Sequence, residues 1–322
     1  MKILFDARPI IDAPHGGVGR VALAQARIAL DQAGNAVTFF TTGSHKPQLP
    51  ADLLGTHSVH RHINIPNKVW SLLCLFGLRP LSWFVKIKPD LVLLPNIGFI
   101  GAPASWKTHL IVHDLSFLIE PKWFRFKQRL WHRFVRPRKL FQEAHELLCV
   151  SERTKQDLVQ LVGITPDRCR VISMGKTLFV EPKADGILEK YAGKRIVLAF
   201  GATDPRKNFS TAEITVKELQ KETGFADLEL VAIGRDVHPT DEQLAALYTH
   251  ASALLYPSWY EGFGLPLHEA KQYGCRAVAS TAGALPETAP EGTVFANPAK
   301  PQQWVEGLRI VASSTRSYSP PC

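Results

Sequence analysis

The chain lacks any CxxC pair: its five cysteines (Cys74, Cys149, Cys169, Cys275 and Cys322) are scattered among 322 residues and odd in number. That argues against a disulfide framework and a cysteine zinc site, and it fits a reducing compartment. A secretory leader is not expected either. The N-terminus runs directly into an apolar stretch, Lys2-Ile-Leu-Phe-Asp6, with no charged region and apolar run before it. No hydrophobic run reaches the roughly 20 residues needed to span a bilayer. Residues 69–78 come nearest, and Arg79-Pro80 stops them. Internal repeats are absent, and low complexity is confined to the polar tail 313–322. The expectation is a cytoplasmic protein, with peripheral placement at the inner face of the cell membrane as the variant to consider.

What is present is an ordinary globular composition, 45% hydrophobic and 21% charged, which excludes a disordered chain. The length implies two domains. The net charge of +9 is unevenly spread. Residues 1–180 carry 24 Lys/Arg against 12 Asp/Glu, and residues 181–322 carry 14 against 17. A basic half joined to a slightly acidic one suggests that the first meets an anionic surface.

Strand-like and helix-like segments alternate twice. The first series has short apolar runs at residues 2–6, 37–41, 91–94, 109–112 and 146–150, a helix over 21–30, and another from the capping candidate Ser151 through Leu161. The second has strands at 195–200, 228–233, 253–256 and 276–280, with helices at 211–221, 241–250 and 265–273. The reading is α/β, with two Rossmann-like doubly wound domains: residues 1–176, a linker over 177–193, and residues 194–322. In such sheets ligands bind beyond the C-terminal ends of the strands.

The most informative stretch is Tyr256-Pro-Ser-Trp-Tyr-Glu-Gly-Phe-Gly-Leu-Pro-Leu-His-Glu269. Two carboxylates, Glu261 and Glu269, flank a glycine-proline turn that opens a helix, where free N–H groups and the helix dipole favour an anion. Two acids beside such a cradle suit the hydroxyls of a sugar or ribose. A glycosidase-like acid pair is the rival. Eight residues on one helix would separate the acids by roughly 12 Å, too far for a retaining hydrolase; Glu261 precedes the helix, which shortens that distance. Gly201-Ala-Thr-Asp-Pro-Arg-Lys-Asn208 follows a strand directly. Its Arg206 and Lys207 can neutralise a departing diphosphate without a metal. Gly16-Gly-Val-Gly19 precedes a helix, and its spacing is not that of a dinucleotide-binding loop. His113 closes a strand in Val112-His-Asp-Leu-Ser-Phe117.

Residues 122–139 are basic and aromatic, with eight cations and no acid. Phe126, Leu130 and Phe134 form one apolar stripe at helical spacing. An anionic membrane surface and a helix docked on its own domain with a solvated basic face explain the segment about equally. Nucleic-acid binding is not expected, because no binding module accompanies the charge.

Taken together, Glu261 to Glu269 resembles the E-x7-E signature of retaining glycosyltransferases with the GT-B fold, in the large family usually called family 4. The flanks agree: Ala253-Leu-Leu-Tyr-Pro-Ser before, and Gly274-Cys-Arg-Ala-Val-Ala-Ser-Thr-Ala-Gly-Ala-Leu-Pro-Glu287 after. So do Phe5-Asp-Ala-Arg-Pro9 and Val150-Ser-Glu-Arg-Thr-Lys-Gln-Asp-Leu158. The likeness runs from Met1 to about Pro298, with a mannosyltransferase character. It implies two domains facing across a cleft, the acceptor on the N-terminal one and a shortened donor domain after it. The reaction implied is transfer of a hexose, mannose favoured, from a nucleotide-diphosphate sugar to a glycan or lipid-linked hydroxyl, with retention of configuration, as in cell-surface polysaccharide synthesis.

By resemblance Glu269 holds the ribose and Glu261 the donor sugar. Gly262, Phe263, Gly264 and Leu265 offer backbone contacts, and Arg206 and Lys207 bind the diphosphate. Gly16 and Gly17 approach the leaving phosphate, and His113 hydrogen-bonds the sugar. No cofactor or metal is expected; GDP-mannose is the favoured donor and UDP-sugars stay open. Two departures from the family's pattern stand out. Few residues, among them Arg235 and Asp236, separate Gly234 from Asp241, where family members carry an insert that forms part of the base pocket. The chain also ends soon after 304–312, without the long terminal helices common there. The alternative is a catalytically weak homologue serving as an accessory subunit of a glycosyltransferase complex.

Overall fold

The computed structural model describes residues 1–175 and 180–313. The chain divides into an N-terminal unit, Met1–Thr177, and a C-terminal unit, Leu178–Cys322. Residues 176–179, where the expected linker begins, and the polar tail from residue 314 lie outside the described residues.

The N-terminal unit is built on seven parallel strands: β1 (Lys2–Asp6), β2 (Ala36–Thr42), β3 (Ser58–Ile63), β4 (Leu91–Leu94), β5 (Thr108–Val112), β6 (Glu146–Cys149) and β7 (Cys169–Val171). Their order is β3-β2-β1-β4-β5-β6-β7. β1 lies inside the sheet: Ile3 pairs with Val37 on one side, and Phe5 with Leu93 on the other. Its run Ile3-Leu-Phe5 is buried, as a strand covered on both faces requires. The chain turns from one side of β1 to the other between β1 and β4, which is where doubly wound sheets open a binding crevice. The core gathers Phe40, Trp70, Leu110, Phe141 and Leu147. Ser151 caps Glu152–Val162, its hydroxyl accepting from Thr154 N at 3.1 Å.

The C-terminal unit has five parallel strands, β8 (Arg195–Phe200), β9 (Leu228–Ile233), β10 (Ala253–Tyr256), β11 (Ala277–Ser280) and β12 (Val294–Ala296), in the order β12-β11-β10-β8-β9. The switch point falls between β8 and β10. Helices Phe209–Leu219 and Pro301–Ala312 share one core cluster through Phe209, Val216, Trp304 and Leu308. Of the stretch read as a linker, residues 184–191 pack on this unit, with Leu188 and Tyr191 buried in its second core cluster.

Helix Asp241–His250 has the expected bounds, its start set by a Thr240–Gln243 capping box. Three strands went unread, β3, β7 and β12. β7 and β12 have three residues each, and β3 alternates half-exposed and exposed positions through His60, Arg61 and His62. The short loop after β9 is a closed turn. Gly234 N donates to Val237 O at 2.8 Å, and Asp236 accepts from Ala232 N at 2.9 Å. Arg235 bonds Asp236 and Glu213 and lies 4.6 Å over the Phe209 ring. No described helix is long and apolar enough to cross a membrane.

Candidate functional site

In the C-terminal unit the candidate residues stand on the loops after β8 and β10, on either side of the switch point. Gly201 follows β8 with φ 70°; a Cβ there would lie 2.4 Å from Lys207 Cγ, so glycine makes room for that side chain. Asp204 caps the short turn Pro205–Lys207, accepting from Arg206 N at 3.0 Å and pairing with Arg206 Nη2 at 2.8 Å. Burial acts to raise the Asp204 pKa; the Arg206 guanidinium outweighs it and holds the carboxyl below its ordinary value. Asn208, at φ 49°, donates to Pro257 O at 3.1 Å and Pro298 O at 3.2 Å. That amide ties the cation loop to the loops after β10 and β12.

Lys207 reaches from this loop to the end of β10. Its ammonium donates to Glu261 Oε1 at 2.6 Å and to the Tyr256 hydroxyl at 3.0 Å, and it lies 5.0 Å from the Tyr256 ring centroid. Burial would lower the lysine's pKa, but the Glu261 carboxylate and Tyr256 together raise it above its usual value. Tyr256 is pushed up in turn, by burial and then by Glu261, so it stays protonated. A lysine has three donors and an ionised carboxylate two oxygens. The Tyr256 hydroxyl also bonds the Glu261 carboxylate, so the three side chains hold one another, and the lysine keeps one N–H for a ligand in a setting where its charge is fixed.

Glu261 is braced from behind. Ala284 N donates to its carbonyl at 2.8 Å, and a Cβ on Gly283 (φ 64°) would meet that carbonyl at 2.5 Å. Gly264, at φ 98°, opens helix Leu265–Gln272, and a Cβ there would collide with Leu285. Pro266 has no N–H, so the donors at the helix head are those of Gly262, Phe263, Gly264 and Leu265. The Phe263 ring stacks on His268 at 4.8 Å, and its carbonyl accepts from Thr288 Oγ1. Glu269 lies on the second turn, buried, and accepts from the Tyr248 hydroxyl at 3.3 Å. The two acids are thus held by different partners and do not form an acid–base couple.

In the N-terminal unit Gly16 is the N-cap of helix Gly17–Asp31, four residues earlier than the periodicity placed its start, and both Gly16 and Gly17 are exposed. Gly19 lies inside the first turn because a Cβ would come within 2.0 Å of Ala13 O. His113 follows β5, and its Nε2 bonds Pro95 O, beyond β4, at 2.7 Å. Burial lowers its pKa, opposed by that bond and by Asp114, so the imidazole is neutral near pH 7 and donates from Nε2. The Asp114 carboxylate accepts from Ser116 N and Oγ. At the end of β1, Asp6 holds Arg8 in a buried ion pair at 2.6 Å, and Arg8 reaches on to Phe99 O.

The structure gathers Arg206, Lys207, Glu261, Gly262, Phe263, Gly264, Leu265 and Glu269 at one end of the C-terminal sheet. Gly16, Gly17 and His113 stand after β1 and β5 of the other sheet. Sequence reasoning gave no role to Tyr256, Asn208, Tyr248 or Gly283. A glycine beside Ala284-Leu-Pro was the available signal for the last; the tyrosines read as core.

Residues 15–175 match the family described as Glycosyltransferase Family 4, and residues 237–318 the family described as Glycosyl transferases group 1. The chain is 32% identical over 225 residues to an MMP alpha-(1->4)-mannosyltransferase of Mycolicibacterium hassiacum, covering 62% of this chain and 53% of that one. It is 27% identical over 280 residues to the O-antigen chain mannosyltransferase RfbU of Salmonella typhimurium, covering 77% and 76%. The first of these matches thus spans about half the relative's length. Among solved structures, sucrose-phosphate synthase from Thermosynechococcus elongatus aligns over 97% of this chain and 90% of its own, with a TM-score of 0.65 at 18% identity. The two parallel α/β units have the GT-B fold.

Proposed function

Because this chain belongs to the family-4 glycosyltransferases, we propose that it transfers a hexose from a nucleotide-diphosphate sugar to a hydroxyl of a glycan or lipid-linked acceptor, with retention and without a metal ion. The observation that carries this reading is the Lys207–Glu261 pair at the switch point of the C-terminal sheet. It sets a fixed cation and a carboxylate oxygen beside the head of helix Leu265–Gln272. The two mannosyltransferase relatives favour mannose, and the O-antigen enzyme favours cell-surface polysaccharide as product; GDP-mannose as donor follows the family resemblance.

In this reading the bond between the sugar's C1 and the diphosphate oxygen breaks, and the acceptor oxygen bonds to C1 on the same face. The acceptor proton passes to the departing phosphate oxygen. Lys207, Arg206 and the N–H groups of residues 262–265 stabilise the charge that develops there, which is the main catalytic term. Glu261 takes a sugar hydroxyl, and Glu269 takes the ribose. The roles given to Gly16 and Gly17 (leaving phosphate) and to His113 (sugar hydroxyl) follow the family resemblance.

The test is thermal melting against a panel of nucleotides and nucleotide sugars. A ligand at a hundred times its Kd stabilises by about 2.7 kcal/mol, a shift of roughly 5–10 °C for a unit of this size. GDP and GDP-mannose are expected to give it. A panel in which no nucleoside diphosphate raises the melting temperature would sink the reading.

A further inference from the structure

Residues 69–134 hold most of the exposed large apolar side chains among the described residues. Of the nineteen large apolar side chains exposed among the described residues, eleven lie there, led by Phe76 at 76% and Phe126 at 70%. An amphipathic helix on a globular domain normally turns its apolar stripe to the core. Helix Phe126–Val135 does not: it buries only Val135, and Phe126, Leu130 and Phe134 are exposed. It is held from another side, where His132 stacks on Phe117 at 4.5 Å and meets Phe124 edge-on at 5.2 Å. The stripe is therefore presented outward by a helix that is anchored. The same segment carries Lys122, Lys127, Arg129, Arg133 and Arg136, none with a carboxylate partner among the described residues.

Phe134 also lines a cavity of about 230 Å³ in the N-terminal unit, with Leu78, Leu94, Leu110, Arg136 and Lys139 around it. Arg79 and Glu143 line it too, and Glu143 pairs with both Arg79 and Lys139, which leaves Arg136 as the cation without a carboxylate there; apolar side chains, an exposed aromatic and that cation suit an amphiphile with an anionic head. We propose that the N-terminal unit docks on an anionic lipid bilayer through this face and takes the end of one hydrocarbon chain of an anionic lipid into the cavity. The charge favours a bilayer over a second copy, since two like-charged faces repel. The stripe favours it over a nucleic acid, because phenylalanines set against a phosphate backbone would stay in water. The inference does not rest on the transfer reading.

Flotation with vesicles tests the docking. Vesicles of equal parts phosphatidylcholine and phosphatidylglycerol are expected to carry the protein at low salt, and pure phosphatidylcholine vesicles to carry far less. A Phe126→Ser/Phe134→Ser double variant, exposed enough to leave the melting curve unchanged, is expected to cut the floated fraction about tenfold. Cys74 also lines the cavity and is half-buried, whereas Cys149, Cys169 and Cys275 are buried. In a Cys322→Ser background the mixed vesicles should slow maleimide labelling of Cys74 several-fold.

Wild type that stays unbound on mixed vesicles overturns the docking, as does a double variant that floats as well as wild type. An unchanged Cys74 rate on bound protein overturns the cavity assignment. Self-association abolished by the double variant, with no flotation of either protein, would make the face an interface between copies instead. Nucleotide binding measured on the same preparations separates all of these from a failure of the transfer reading.

Discussion

The C-terminal unit holds its candidate residues by bonds they make to one another, and the N-terminal unit holds its own by bonds to backbone. Lys207, Glu261 and Tyr256 form a mutually satisfied cluster, with Asn208 and Ala284 fastening the loops that carry them. His113 has Pro95 O, and Gly16 N donates to Ala13 O. Yet both sets sit at equivalent places, after the strands that flank or adjoin a switch point in a parallel sheet. The difference concerns charge. A buried cation needs a carboxylate to stay charged, so the C-terminal cluster is part of the fold's own stability. A neutral imidazole and bare glycines can be placed without such a counterpart, and altering them should disturb function more than folding.

The sharpest way to break that contrast is Lys207→Met. It leaves Glu261 mostly buried without its cation, and breaking a buried pair costs about 3–5 kcal/mol, less here because both side chains are partly exposed. A loss of roughly 2–3 kcal/mol in chemical denaturation is expected, together with about a hundred- to thousandfold lower transfer rate. Adding Glu261→Gln should restore much of the stability and none of the rate, because the two sites are coupled. If Lys207→Met melts like wild type, the cluster is not structural and the contrast between the units fails.

A middling effect is expected at His113. His113→Gln keeps a donor for Pro95 O, so stability near pH 7 should change by no more than about 1 kcal/mol, while transfer falls more than tenfold. The pH dependence supplies a second readout. Burial holds the folded imidazole's pKa below its ordinary value of 6.5. Above that value both states are neutral and the group contributes no pH dependence. As pH falls through it the unfolded chain takes up a proton that the folded one resists, so stability declines. Denaturation midpoints of wild type should therefore drop faster than those of His113→Gln as pH is lowered from neutrality. Parallel curves would mean that the ring is not buried as the structure has it.

What the sequence carried, and what it did not, follows the same division. Lys207 and Glu261 were legible because a charge after a buried strand is an anomaly. The helix of Glu269 was legible because glycine and proline mark its start. The central strands were legible as continuous apolar runs. The partners were not: Tyr256 closes an apolar strand and Tyr248 sits in an amphipathic helix, so each looks like filling. Their hydroxyls matter only once two distant segments meet, 49 residues apart for Lys207 and Tyr256 and 21 for Tyr248 and Glu269. Gly201 shows the converse. Its position after β8 hinted at a turn, but the reason for glycine is the passage of Lys207, which no local pattern contains. The exposed stripe of Phe126, Leu130 and Phe134 was equally readable as core or as surface, and only the burial of Val135 alone on that helix decides it.

The smallest of the expected effects lies at Glu269, where the contrast can be made finer. Its oxygen accepts from Tyr248 at 3.3 Å, a longer contact than the Lys207–Glu261 bond, and both groups are buried. Tyr248→Phe removes one hydroxyl and leaves the ring, which stacks on Tyr273 at 6.3 Å and an angle of 4°. The loss of one such bond amounts to about 1 kcal/mol. If the hydroxyl orients Glu269 for the ribose, donor KM should rise a few-fold with kcat nearly unchanged, since the ribose is remote from the bond that breaks. If it serves only the fold, the denaturation midpoint moves and KM does not. The same comparison on Glu269→Ala sets the scale, because removing the carboxylate must weaken donor binding far more than removing the group that steadies it.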